Sequence, residues 1–230
     1  MCFEVIDDFL RLLKKSPPGS VFNPWWHVDK KNDVDRTAPA TRRRHLRAYL
    51  HRRLGGVKLV LVGEALGYRG GHFSGIPMTS EQILLGQKKG DGIEPEHIFS
   101  SLKAKRTSNP ERCAEGFSEP TATIVWTALL KLGLKPDQFL LWNAFPWHPF
   151  DPSRGLLSNR MPTKKEQSAG QPVLKAFLDH FPCDEIVALG NVAASQLKKL
   201  NAEPHRVRHP ASGGAKLFRQ QITRIVREFR

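Results

Sequence analysis

The chain has 230 residues, 40% of them hydrophobic, enough to bury the core of one ordinary domain and too apolar for a disordered chain. Lysine and arginine outnumber aspartate and glutamate by 36 to 22, for a net charge of +14. That excess favours a polyanionic partner, bound through phosphate contacts and counterion release, over a merely solvated basic surface. No run approaches the roughly 18 apolar residues of a membrane span, and the acid-bearing amphipathic N-terminus does not read as a signal peptide. Cys2, Cys113 and Cys183 are isolated, with no CxxC, which excludes a disulfide framework and a zinc ribbon. An intracellular, cytoplasmic protein without membrane association is the expectation.

Phe3 to Leu13 has helical spacing of apolar residues, ended by Ser16-Pro17-Pro18-Gly19. The following loop holds Asn23-Pro24-Trp25-Trp26-His27. Its tryptophans could stack on bases, but aromatic rings beside a proline read more simply as packing the loop on the core. A helix from about Pro39 to Leu54 carries Arg42, Arg43, Arg44, Arg47, Arg52 and Arg53 around much of its girth, so only part of the set can face DNA. Val57 to Val62 suits a buried parallel strand. Thr79-Ser80-Glu81 opens a short helix at Ile83 to Leu85, and residues 86–118, polar and weakly periodic, predict a surface loop insertion with one short helix. Ser118-Glu119-Pro120 is a helix start leading into Ile124 to Leu132, and Phe139 to Trp142 is the next strand. Thr163-Lys164-Lys165-Glu166 has capping-box spacing and opens a helix to about His180. Strands at Ile186 to Leu189 and His205 to Arg208 are followed by helices at Val192 to Leu200 and Ala215 to Phe229. The alternation predicts a single three-layer α/β/α domain around a central four-stranded, mainly parallel sheet, with residues 1–56 as an N-terminal helical extension.

Three segments follow strands and so sit where an α/β sheet presents loops to a ligand. They are the run from Gly63-Glu64-Ala65 through Gly67 to Gly75-Ile76-Pro77-Met78, then Trp142-Asn143-Ala144-Phe145-Pro146, then Arg208-His209-Pro210-Ala211-Ser212-Gly213-Gly214. A carboxylate, an amide and an imidazole delivered together can hold a flat polar heterocycle and break a bond beside it. No G-x-S-x-G nucleophile elbow occurs, and with the charge of +14 this disfavours a small-molecule α/β hydrolase.

In their order these motifs resemble the uracil-DNA glycosylase superfamily. Asn159-Arg160-Met161-Pro162-Thr163 with Glu166 is similar to a segment of its bacterial and archaeal iron–sulfur branch, and Val187-Ala188-Leu189-Gly190 and His209-Pro210 complete the order from about Lys58 to Phe218. The resemblance implies a monomeric DNA-repair enzyme that flips a uracil nucleotide out of single- or double-stranded DNA, hydrolyses its N-glycosidic bond and leaves an abasic site. No lysine is placed by motif as a Schiff-base nucleophile, so lyase chemistry is not expected. In that reading Glu64 positions or activates water, His209 donates a hydrogen bond to the departing base, and Asn143 reads uracil against cytosine. Gly63, Ala65, Gly67, Phe73 and Met78 would shape the base pocket. DNA contacts fall to Arg160, Ser212, Gly213, Gly214, Lys216, Leu217 and Arg219, with Lys216 or Leu217 as the wedge unless Leu217 and Phe218 are core residues of the last helix.

The departures from the pattern carry their own expectations. Ala65 stands where the best-known branch has an Asp, Met78 replaces a stacking Phe, and Gly67 replaces a Tyr that excludes a methyl group. A glycine there predicts room for 5-substituted uracils or deaminated purines. Three scattered cysteines cannot supply the four ligands of a cluster, so a cluster-free relative with no metal or other cofactor is implied. A protein that binds uracil or abasic sites with little turnover is the alternative.

Overall fold

The computed structural model describes residues 2–229, with side chains from residue 4 onward. Helix α1 (Cys2–Leu12) leads to a short strand β1 (Val21–Phe22) and to α2 (Ala38–His51). Strand β2 (Leu59–Ala65) is followed by two single-turn helices, α3 (Gly71–Ser74) and α4 (Glu81–Leu84), and by α5 (Pro95–Ile98) and α6 (Pro120–Lys131). Strand β3 (Phe139–Phe145) and β4 (His148–Pro149) precede α7 (Lys164–His180), β5 (Glu185–Leu189), α8 (Asn191–Lys198), β6 (His205–Val207) and α9 (Ala215–Glu228).

Four strands form one sheet in the order β3-β2-β5-β6. Every pairing is parallel, rather than mainly so, and helices flank the sheet. Leu59 to Val62 and Phe139 to Trp142 are inaccessible, as strands covered on both faces must be. Phe9 and Phe177 pack on Trp142, the last stacking at 4.7 Å, which fastens α1 and α7 to β3. The expected capping box opens α7: Glu166 N–H donates to the Thr163 hydroxyl, and Thr163 N–H donates to the Glu166 carboxylate.

Both β2 and β3 run three residues beyond the predicted apolar cores. Their ends are held by backbone pairing, which sets Gly63 opposite Asn143 and Ala65 opposite Phe145. Residues 86–118 differ from a solvated loop. Ile93, Ile98 and Phe99 enter the core, and Phe117 stacks on Phe73 with ring centroids 4.0 Å apart. The buried Glu81 carboxylate accepts the N–H groups of Thr107 and Ser108 at 2.6 and 3.0 Å, and also both hydroxyls. Scattered anchors and hydrogen bonds leave no periodic trace in a sequence, which is why the segment reads as loop.

The arginines of α2 are mostly structural. Arg42 is wholly buried in a bidentate pair with Asp33, at 2.7 and 2.8 Å. Arg53, also buried, donates to the carbonyls of Tyr49, His97, Ile98 and Phe139 and lies 3.9 Å over the Tyr49 ring. Arg47 pairs with Asp7, Arg43 lies over Trp26, and Arg52 donates to the Glu96 carbonyl, while Arg44 is exposed. The tryptophan loop packs on the core as expected: Trp25 is inaccessible and donates from Nε1 to the Gly75 carbonyl at 3.0 Å.

Candidate active site

At the carboxyl end of the sheet the segments after β2, β3 and β6 enclose a cleft of about 940 Å³. Glu64, Met78, Asn143 and His209 share its lining with Gly63, Ala65 and Gly67. Asn143 is buried within β3, and its Nδ2 has no hydrogen-bond partner among the described residues. Its Oδ1 lies 2.5 Å from where a Cβ on Gly63 would stand, with the Met78 sulfur 3.5 Å from the same point. Glycine at 63 therefore lets the amide cross the end of β2. Met78 holds φ at 47°, a conformation that side chains rarely adopt and that clusters at functional sites.

His209 is half-buried, and its Nδ1 accepts the N–H of Ala211 at 3.1 Å. Burial, then the neighbouring Arg208 charge, pulls its pKa below the usual histidine range. A neutral ring whose Nδ1 accepts must carry its proton on Nε2, so His209 has an N–H to offer. Its loop turns through left-handed Ser212 and Gly213, at φ 52° and 76°, and a Cβ on Gly214 would overlap the His209 carbonyl oxygen. The Glu64 carboxyl is half-buried, without a partner among the described residues, and burial raises its pKa above the ordinary range.

Residues 53–226 match the family model of the uracil DNA glycosylase superfamily. The chain belongs to that superfamily. Its members are glycosylases, hydrolases of base-excision DNA repair. The fold is similar to the crystal structure of wild-type Pedobacter heparinus SMUG2, with a TM-score of 0.62 over 98% of this chain and 97% of that one, at 13% identity. No curated protein matches the chain. No described helix is long and apolar enough to cross a membrane.

Several of the residues expected from the superfamily pattern stand elsewhere. Phe73, expected with Met78 to shape the base pocket, is inaccessible and stacked on Phe117, so of the two only Met78 lines the cleft. The single turn of α3 directs Phe73 away, toward the 86–118 segment. Arg160 lines the cleft but has no donor left for a phosphate. Its two terminal nitrogens grip the Glu166 carboxylate, each at 2.7 Å, and its remaining N–H groups go to the carbonyls of Ser20, Phe150 and Met161. Ser212, Gly213, Lys216, Leu217 and Arg219 are exposed beside His209, outside the cleft, whereas Gly214 is buried beneath the turn. On α9 the two readings divide: Phe218 is core, and Leu217 is 46% exposed.

Gly67 does not leave open space. A Cβ there would lie 2.5 Å from Oε1 of Glu119, whose carboxyl fills that wall of the cleft. Glu119 is the site residue that sequence reasoning missed, because Ser118-Glu119-Pro120 reads as a helix start alone. Glu119 is indeed the N-cap of α6, yet its side chain makes no capping hydrogen bond. The cysteines, for their part, do not fit an iron–sulfur cluster. Cys113 and Cys183 are free thiols, and among the described residues no three metal-ligating side chains converge.

Behind the Gly67–Met78 loop lies a buried polar cluster. His148 Nε2 donates to the Ser158 carbonyl at 2.7 Å, leaving its Nδ1 to accept from His72 Nδ1 at 3.1 Å. His72 Nε2 lies 3.2 Å from Asp29 Oδ2. Burial, the largest influence, pulls the His72 pKa down, against the opposing pull of the Asp29 carboxylate that faces its Nε2. Burial would raise the Asp29 pKa; hydrogen bonds from His72 and Asn32 and the His72 charge outweigh it and hold it at about 2.

Proposed function

We propose that this chain is a monofunctional DNA glycosylase that hydrolyses the N-glycosidic bond of uracil in DNA and leaves an abasic site. One observation carries the reading: a buried Asn143 amide with an unpaired Nδ2 shares a cleft with the Nε2–H of His209 and the unpartnered carboxyl of Glu64. A base must leave the stack to reach such a cleft. Asn143 Oδ1 then accepts from uracil N3–H while Nδ2 donates to O4. Cytosine reverses both groups, and each buried group left unpaired costs about 1–3 kcal/mol.

As the glycosidic bond breaks, negative charge collects on the base O2 and positive charge on the sugar. His209 Nε2–H meets the first without giving up its proton. Ionised Glu64 faces the second and orients water toward the anomeric carbon. The exposed Lys216 and Arg219 hold phosphates beside the His209 turn.

The test is release of free uracil and formation of alkali-labile sites on a uracil-containing duplex. Asn143→Ala and His209→Ala are each expected to lower single-turnover release by about 10²–10³-fold. Binding without base release would overturn the enzyme reading in favour of a damage-binding protein, and undiminished release by both variants would overturn the site.

A further inference from the structure

The cleft is larger than its base-reading end requires. At about 940 Å³ it stands near the top of the range that holds drug-sized ligands, and a pyrimidine ring fills a fraction of it. Its charges are also divided. The sheet order β3-β2-β5-β6 sets Asn143 on one edge strand and β6 at the other edge, three strand spacings or roughly 14 Å away. Glu64 stands on β2 and Glu119 against the loop that follows it, whereas Arg206 and Arg208 line the cleft from β6 and the residue after it. Val207 between them is buried in the core, so strand alternation turns both arginines the other way.

Both guanidiniums are available. Arg206 is exposed and is steadied by one hydrogen bond from Nη2 to Asn191 Oδ1. Arg208 is pinned at the backbone, its N–H donating to Gln221 Oε1 at 2.7 Å, while its guanidinium makes a single 3.4 Å contact with the Ser212 carbonyl. Neither faces a carboxylate among the described residues, and each keeps most of its five N–H donors free. Arg160, which lines the same cleft, has none left.

We propose that Arg206 and Arg208 form a phosphate-binding subsite, which takes a phosphodiester flanking the extruded nucleotide and so helps to separate uracil-containing from undamaged DNA. The proposal rests on the reading of the cleft given above. In a uracil ring held by Asn143 at N3 and O4 and by His209 at O2, N1 is the atom beside C2 that carries the sugar. The strand therefore leaves the ring on the His209 side, where Arg208 is the adjoining residue. A guanidinium grips phosphate oxygens in pairs, at fixed geometry. Lys216 and Arg219 lie outside the cleft and can hold any duplex, whereas Arg206 and Arg208 inside it are met by a backbone that has already turned a nucleotide out.

The experiment measures binding by fluorescence anisotropy to a duplex with one 2′-fluoro-2′-deoxyuridine, whose fluorine opposes positive charge on the sugar and so slows hydrolysis, and to a matched undamaged duplex. In a series of uracil duplexes, one phosphate at a time around the lesion is replaced by an uncharged methylphosphonate. One such replacement is expected to weaken wild type about tenfold, the worth of one hydrogen bond to a charged group. The double variant Arg206→Ala/Arg208→Ala should bind the uracil duplex at least as weakly, lose nothing further at that position, and bind undamaged duplex much as wild type does. Arg219→Ala should instead weaken both duplexes alike. Losses equal in wild type and the double variant at every position, with uracil release still dependent on Asn143, overturn the subsite alone. Displacement of the uracil duplex by inorganic phosphate at constant ionic strength, from wild type and not from the double variant, would assign the arginines to a free anion and overturn the DNA contact. If wild type neither prefers the uracil duplex nor releases uracil, the glycosylase reading falls and the subsite falls with it.

Discussion

The Gly67–Met78 loop has polar groups behind it and in front of it, and the two sets are treated in opposite ways. Behind it, Arg42, Asp33, Asp29, His72 and His148 are buried and mutually bonded, each charge facing another. In front, Asn143 Nδ2 and Glu119 Oε2 are shut off from solvent, and neither they nor the Glu64 carboxyl have a hydrogen-bond partner among the described residues. Partnered groups fix a backbone, and the unpartnered groups of Asn143 and Glu64 are left to meet a ligand. Arg160 shows how the distinction corrects a reading from charge alone, since a guanidinium with every donor engaged belongs to the first set.

The comparison breaks most visibly if its rear half is removed. Arg42→Ala leaves Asp33 buried without its counter-ion and should destabilise the protein by about 3–5 kcal/mol in urea unfolding. An unchanged midpoint would show that the cluster does not hold the loop.

The front half is sharpened by titration. Glu119 has a folded pKa of about 7 against an ordinary 4.5, so the native state binds more protons between those values. Its favourable contribution is complete below about 4.5 and lost as the pH rises through 7. Glu119→Gln does not titrate and should gain in urea midpoint over wild type at pH 8 relative to pH 5. A gap that is constant with pH would refute the buried, unpartnered carboxyl.

The smallest effect concerns DNA affinity. Arg219→Ala should reduce the slope of log K against log salt by about 0.9, as expected for one lost phosphate contact. Arg160→Ala should lower stability and leave that slope unchanged. Equal slopes for wild type and Arg219→Ala would remove α9 from the DNA face.

Much of this was legible in the sequence where local chemistry decides the outcome. The Thr163 capping box, the parallel strands and the strand-end placing of Asn143 and His209 follow from short-range patterns. Glu119 was not legible, because its neighbours, Gly67 and Gly70, lie some fifty positions upstream. Phe73 and Arg160 misled for a related reason. A residue type announces what a side chain can do, whereas the partners that engage it, Phe117 and Glu166, are settled by tertiary packing. The space left by Gly67 was misread in the same way, as room for substrate when a side chain of the protein fills it.

Trp25, Asp29, Asp33 and Arg42, which brace the loop from behind, all precede residue 53, where the family likeness begins. Homology and cooperativity therefore have different borders in this molecule. The segment matched by the family model carries the reacting groups, but part of the bracing that keeps its first loop in shape is supplied by a stretch of chain that this model does not cover. Two relatives could share every motif from Gly63 to His209 and still differ in how firmly that loop is held, through changes confined to the first fifty residues.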